Sequence, residues 1–493
     1  MGGRNEGGNV TQRVDLLLIN PGNRVEQFGA LAPLATIAQP LGIALLAAYV
    51  HERGISVAIV DAEALGLSPE EAVTYVIQRY EPRVVGLSAF TTKMTSAGAI
   101  LREVKKRMPG VVTLLGGHHP SAIPEQTLRE EAVDYVVKGE GFVPVTALLQ
   151  QIVSGNDDLF IRGLWSLNSD GGVHDGGHAP AIQDLDTLPS PAWNLLPMDR
   201  YRAHHWQTWG RGLDTSRFAL IHTSLGCPFA CEYCSVNVVY ERHTVRYRSP
   251  ARVVDDIEHL ITNYGVRHFE IIDDTFTVNR KHVEALCDEI IWRGLGEKIN
   301  AWCFSRVDRA DPRFLSKMKS AGINWVFMGL ESGNDTVLLG VNKKQTVDEI
   351  REAVDAVHAA GINVGGNFVF GLPEDTHESM QQTFDLAQEL NTEYANFFVM
   401  MAYPGAPLRE EALSSGVQLP ETWAQYGFFA PNSVPLRNMR ITAQEILEFR
   451  DQAFQDYFSS ERYQNMVREK FGQETLTFLR EQVLSKKIER KTI

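Results

Sequence analysis

The chain has 493 residues, a formal net charge of −14, 44 % hydrophobic residues and 22 % charged residues. Its length calls for two or three domains, each with its own core, and its acidic balance opposes general attraction to nucleic acid or anionic lipid. No stretch approaches the ~20 apolar residues of a membrane span, and the polar, Gly-rich start lacks the apolar segment of a signal peptide, so a cytoplasmic protein is expected. Residues 14–153 alternate strand and helix. Apolar runs at 15–20, 56–62, 84–90, 111–117 and 134–139 read as strands. Helices are predicted over 40–54, 68–80 and 93–108, the second with Ser68 as cap and an acidic first turn. Five continuous apolar strands separated by helices predict an α/β fold, a doubly wound parallel sheet covered on both faces. Ligands of such sheets sit beyond the carboxyl ends of the strands. There the sequence gathers Ser88, Thr91 and Thr92, then Gly116, Gly117 and His118, then Gly139, Glu140 and Gly141.

Residues 154–215 break the rhythm. A hairpin is predicted around Asp170-Gly171, followed by Pro180, Pro189, Pro191 and Pro197, as in a linker. A second alternating series fills 216–405, with strands at 218–227, 268–274, 299–306, 325–332, 362–371 and 394–405. Six β/α units predict a partial (β/α)6 TIM-type barrel, whose chemistry belongs at the strand ends. From 406 to 493 the pattern is mainly helical, with an aromatic run at Trp423, Tyr426, Phe428 and Phe429.

The first strand of the second series leads into "GCPFACEYCS", with Cys227, Cys231 and Cys234 at spacings of four and three. Cys287 and Cys303 stand alone, so the five cysteines form no disulfide framework. Zinc favours a closed set of four ligands, often two separated pairs, and no second pair follows. Thiolates suit iron and bridging sulfide. Three of them leave one corner of a four-iron cube open to a substrate or cofactor.

Cys-x3-Cys-x2-Cys after the first strand of a six-unit barrel resembles the radical S-adenosylmethionine (SAM) superfamily. The resemblance implies one [4Fe-4S] cluster on Cys227, Cys231 and Cys234, with SAM on the open iron. It also implies SAM contacts at the other strand ends: Tyr233, Asp273 and Asp274 in "IIDDTF", Arg306, Glu331 and Ser332 in "GLESG", and Gly371 in "GGNFVFGLPEDT". Many relatives carry Gly-Gly-Glu where this chain has "IIDDTF". A five-strand parallel domain ahead of the barrel resembles the flavodoxin-like cobalamin-binding domain of the cobalamin-dependent class. That resemblance implies cobalamin contacts at Ser88, Thr91, Thr92, Gly116, Gly117, His118, Gly139, Glu140 and Gly141. Many such domains place a cobalt-ligating His after the first strand. This chain reads "NPGNRVEQFG" there, so cobalamin is expected base-off, without a lower His ligand.

The class implies a methyltransferase acting on an unactivated carbon of a small molecule, through a 5′-deoxyadenosyl radical and methylcobalamin. A reducing partner such as flavodoxin or ferredoxin is implied with it. Two alternatives stay open: a cyclase or rearrangement enzyme that transfers no methyl, and a non-catalytic cobalamin or redox sensor.

Overall fold

Long apolar runs without polar alternation build two separate parallel sheets. The computed structural model describes residues 11–155 and 160–491; the Gly-rich start and the last two residues of the basic tail lie outside the described residues. The chain divides into two compact units.

In the first unit, β1 (Gln12–Asn20), β2 (Val57–Asp61), β3 (Tyr80–Ser88), β4 (Val112–Gly116) and β5 (Tyr135–Val137) pair in parallel in the order β2-β1-β3-β4-β5. This is the flavodoxin-like order, with its switch point between β1 and β3. Leu16, Leu17 and Ile19 are fully buried, as expected of a strand covered on both faces. The helix Pro69–Arg79 starts with proline in its first turn and a Ser68–Glu71 capping box. The predicted hairpin forms as β6 (Leu164–Leu167) and β7 (Val173–His174). It does not hang free, because β6 pairs antiparallel with β5 and extends the sheet to seven strands. The segment Arg24–Gln39, which follows β1, belongs to the second unit.

The second unit holds β8 (Phe218–Ile221), β11 (His268–Ile271), β12 (Asn300–Ser305), β13 (Ile323–Glu331), β14 (Asn363–Phe370) and β15 (Tyr394–Val399) as six parallel strands in sequential order. An open sheet of six β/α units is the expected partial barrel. The apolar run at 218–227 does not stay in one strand. It leaves the sheet after Ile221 and forms β9 (Ser224–Leu225), which pairs with β10 (Arg246–Tyr247). The free edge of β8 is covered: the Gln39 side chain donates to Phe218 O (2.7 Å) and accepts from Leu220 N (3.1 Å).

The amino ends of the barrel strands are closed by residues 205–209. Gln207 donates to Phe269 O (3.1 Å) and Asn300 O (2.8 Å), and Trp206 packs on Trp302, Trp325 and Phe327. Helices Ala443–Ser459 and Glu461–Phe471 dominate the C-terminal region. Among the described residues, no helix is long and apolar enough to cross a membrane.

Candidate active site

The carboxyl ends of the barrel strands carry the cysteine loop. Between β9 and residue 235 the backbone has no regular structure, so the loop depends on tethers for its shape. Gly226 N–H donates to Asp274 Oδ2 (3.2 Å), Asn342 Nδ2 to Ala230 O (2.9 Å), and Leu408 N–H to Glu232 O (2.9 Å). A turn from Cys234 N–H to Cys231 O (3.1 Å) sets the last two thiols. Thr275 Oγ1 lies 3.8 Å from Cys227 Sγ. Burial raises the Cys227 thiol above its ordinary pKa. A metal would have to displace its proton to gain the thiolate. Among the described residues, no three His, Cys, Asp or Glu side chains close on a single-ion position. Three soft donors on one tethered loop are the donor chemistry of an iron–sulfur cluster.

Gly226 starts this loop at φ +98°, where a Cβ would lie 2.2 Å from Thr244 O. Gly226→Ala is therefore expected to lower stability by about 1–3 kcal/mol and to cut iron incorporation, read by urea denaturation and by iron content after reconstitution.

The residues expected at the strand ends separate into two groups. Asp273 is buried and saturated: it accepts from Thr223 N, Thr223 Oγ1 and Ser224 Oγ, each at 2.6 Å. These bonds draw the chain out of β8 and aim it into the cysteine loop. Ser332 is buried against Thr383 (Oγ–Oγ1 3.1 Å) and caps Asn334 N–H (3.2 Å). Gly371, at φ +82°, uses its missing side chain for Ile446, whose Cδ1 would be 2.6 Å from a Cβ. These three residues are occupied within the protein.

Asp274, Arg306, Glu331 and Tyr233 stand around the loop. Burial, and then the neighbouring Asp273, push the Asp274 carboxyl up to about 7. The Arg306 guanidinium lies 4.1 Å from the centre of the Phe229 ring, donates to Lys343 O (2.8 Å) and pairs with Asp308 (3.4 Å). Glu331 Oε1 accepts from Tyr233 Oη (3.0 Å) and from Lys343 Nζ. Sequence reasoning missed Lys343, Phe229 and Thr275. Nothing local in "VNKKQT" marks Lys343 as buried.

In the first unit, the expected ligand residues lie at the ends of β3, β4 and β5, beside the switch point. Gly117 (φ +104°) is needed by the backbone, because a Cβ there would lie 2.7 Å from Ala89 O; Gly139 (φ +101°) is pressed against His178. Thr91 is bonded to His119 (3.2 Å), and Glu140 accepts from Ile182 N–H (2.9 Å). By contrast, a Cβ on Gly116 or Gly141 would meet nothing closer than 3.7 and 3.6 Å. His118 stacks on Phe90 (4.7 Å), which is 58 % exposed and forms an apolar ledge; burial holds the His118 imidazole down to about 4. Thr92 O accepts from Asn23 Nδ2 (2.6 Å). Lys93, also missed in the sequence, is half-buried and donates to Asn20 Oδ1 (3.0 Å). Ser88, Gly116 and the Phe90–His118 ledge suit a large amphipathic ligand that carries amide groups.

Residues 29–149 match the B12 binding domain family, and residues 221–387 match the Radical SAM superfamily. An uncharacterised methyltransferase of Pyrococcus horikoshii is 32 % identical over 399 residues, covering 81 % of this chain and 83 % of the relative. The anaerobic magnesium-protoporphyrin IX monomethyl ester cyclase of Rubrivivax gelatinosus is 30 % identical, covering 80 % of this chain and 70 % of its own. Among solved structures, the radical SAM methyltransferase TsrM of Kitasatospora setae, determined with cobalamin and a [4Fe-4S] cluster bound, superposes with a TM-score of 0.67. It shares 18 % identity over 91 % of this chain and 89 % of that one.

Proposed function

This chain belongs to the radical SAM enzymes that carry an N-terminal B12 binding domain, and on that premise we propose that it is a cobalamin-dependent methyltransferase acting on an unactivated carbon of a small molecule. The observation that carries the reading is the tethered loop with three thiols at the carboxyl ends of a six-stranded parallel sheet, in a chain that also has the flavodoxin-like fold of a B12 domain.

When bound, the cluster and SAM supply a 5′-deoxyadenosyl radical, and cobalamin supplies a transferable methyl group. The protein's part is to bind, orient and shield these groups. Cys227, Cys231 and Cys234 hold the cluster. Asp274 and the Arg306 guanidinium are the charged groups for the SAM amino and carboxylate ends, as acid with ammonium and guanidinium with carboxylate. Glu331 and Tyr233 take the nucleoside side. Asp273, Ser332 and Gly371 act as positioning residues. In the first unit Ser88, Thr92, Gly116, His118 and Gly141 contact cobalamin, supported by Thr91, Gly117, Gly139 and Glu140. The segment after β1 contains no His between residues 21 and 39, which favours base-off binding. The electron comes from a low-potential carrier such as flavodoxin or ferredoxin.

The identity to a cyclase favours a second reading, in which the substrate radical closes a ring and no methyl moves. Anaerobic turnover separates the two. A methyltransferase is expected to release S-adenosylhomocysteine together with 5′-deoxyadenosine, whereas 5′-deoxyadenosine alone supports the cyclase. Absence of 5′-deoxyadenosine from reduced, reconstituted protein rejects both.

A further inference from the structure

The inner face of the barrel carries a polar pair that none of the foregoing uses. Glu270 on β11 is in register with Leu220 on β8 and with Trp302 on β12. Trp302 identifies this as the aromatic face: its ring packs on Trp206 (5.2 Å), Phe327 (5.0 Å) and Phe304 (5.0 Å). The alternate residues Phe269, Ile271 and Cys303 are buried on the opposite face.

Glu270 Oε2 and Trp302 Nε1 are both buried, and neither has a hydrogen-bond partner among the described residues. Trp302 is only 3 % exposed. Unpaired buried polar atoms are expensive, and one such atom on each of two adjacent strands calls for an explanation. Burial pushes the Glu270 carboxyl up to about 8, which makes it neutral near pH 7. The same face adds an amide pair, Asn396 Nδ2 to Asn367 Oδ1 (3.0 Å), and the Phe398 ring against Phe428 (5.0 Å). The nearby cations stand at the rim and are already engaged: Arg306 with Asp308 and Lys343 O, Lys343 with Glu331.

We propose that Glu270 and the Trp302 indole N–H form an anchor on the inner face for a neutral hydroxyl group of the substrate, which donates to the carboxyl and accepts from the indole. The anchor excludes anionic groups, which would meet a carboxyl in apolar surroundings with no cation to pair them. It rests on the reading of the barrel as the substrate chamber. The substrate is therefore an alcohol with an apolar body that packs on the aromatic face.

The test uses the reconstituted full chain and three small probes, benzyl alcohol, benzyl methyl ether and benzoate, titrated by saturation-transfer NMR. Benzyl alcohol is expected to bind about tenfold more tightly than either of the others, the worth of one or two well-made hydrogen bonds. Glu270→Leu is expected to erase the preference for alcohol over ether, and because it removes an unpaired buried carboxyl oxygen it is expected to fold. Trp302→Phe keeps a six-membered aromatic ring, loses the donor and is expected to weaken the alcohol about fivefold. Ether or benzoate binding as well as the alcohol, or a preference unchanged in Glu270→Leu, overturns the anchor. Formation of 5′-deoxyadenosine by the same preparation tests the radical SAM reading separately. If the nucleoside forms while the probe ranking fails, the anchor falls alone; if the ranking holds without the nucleoside, the reading falls and the anchor stands.

Discussion

Serine at Cys227, Cys231 or Cys234 is expected to take iron content from about four per chain to near zero and 5′-deoxyadenosine formation to background, each as a single substitution. A hydroxyl is a harder and far less acidic donor than a thiol and matches iron–sulfide chemistry poorly. A cluster held at three points has no spare protein ligand. The three positions are not alike in the fold: Cys227 is buried and Cys234 is exposed. If the cysteines served packing, the Cys227 substitution would cost most and Cys234 least. If they serve a cluster, all three fail together. The loop lies outside the six-stranded sheet, so between the cluster-free proteins Cys234→Ser is expected to change unfolding free energy by no more than about 0.5 kcal/mol. Cluster absorbance, iron content and urea denaturation on the same preparations make the comparison. Zinc in place of iron in the anaerobic protein, or turnover that survives any one substitution, contradicts the assignment.

Where a signal is local, the sequence shows it. The cysteine spacing, the five apolar strands of the first unit and the six β/α units of the second lie in short windows, and the structure forms both sheets where the periodicity places them. Roles set by partners distant in the chain were not legible. Asp273 and Asp274 are adjacent and chemically equal in sequence. One is consumed by Thr223 and Ser224, about fifty residues away, while the other faces the cysteine loop through Gly226. The run 218–227 reads as one strand because its apolar pattern continues, yet it breaks after Ile221, where Asp273 captures Thr223 and Ser224. The glycines divide for a similar reason. Gly117, Gly139 and Gly371 answer to neighbouring protein atoms, and a Cβ on Gly116 would make only an ordinary contact with Val137 at 3.7 Å, a distinction that composition cannot carry. The hairpin was legible as a hairpin, but its pairing with β5 was not, because edge pairing depends on where the turn delivers the strand.

Lys343→Met is expected to be among the most destabilising single changes in the barrel unit, by about 3–5 kcal/mol. The Lys343 and Glu331 side chains are each only 8 % exposed. Their environment is built around them: a Cβ on Gly329 would lie 2.3 Å from Glu331 Oε1 and 2.6 Å from Lys343 Nζ, so a side chain there would displace the pair. Glu331 also holds a left-handed backbone, φ 65°, which costs a non-glycine residue on the order of 1 kcal/mol and persists only when its surroundings enforce it. With Lys343 removed, the carboxylate keeps only the Tyr233 hydroxyl as donor among the described residues, too little to offset desolvation. Tyr233 stays a donor because burial, and then Glu331 itself, hold its phenol well above the usual pKa. The double variant Glu331→Gln with Lys343→Met removes both charges and is expected to recover most of the loss, since a neutral amide needs far less compensation. Recovery measured by urea denaturation identifies an uncompensated charge as the cause; equal destabilisation of the single and double variants identifies lost packing instead. Tyr233 sits between Cys231 and Cys234, and Arg306 donates to the Lys343 backbone. The double variant is therefore expected to fold while binding SAM at least about tenfold more weakly, which equilibrium dialysis with SAM on the reconstituted protein measures directly.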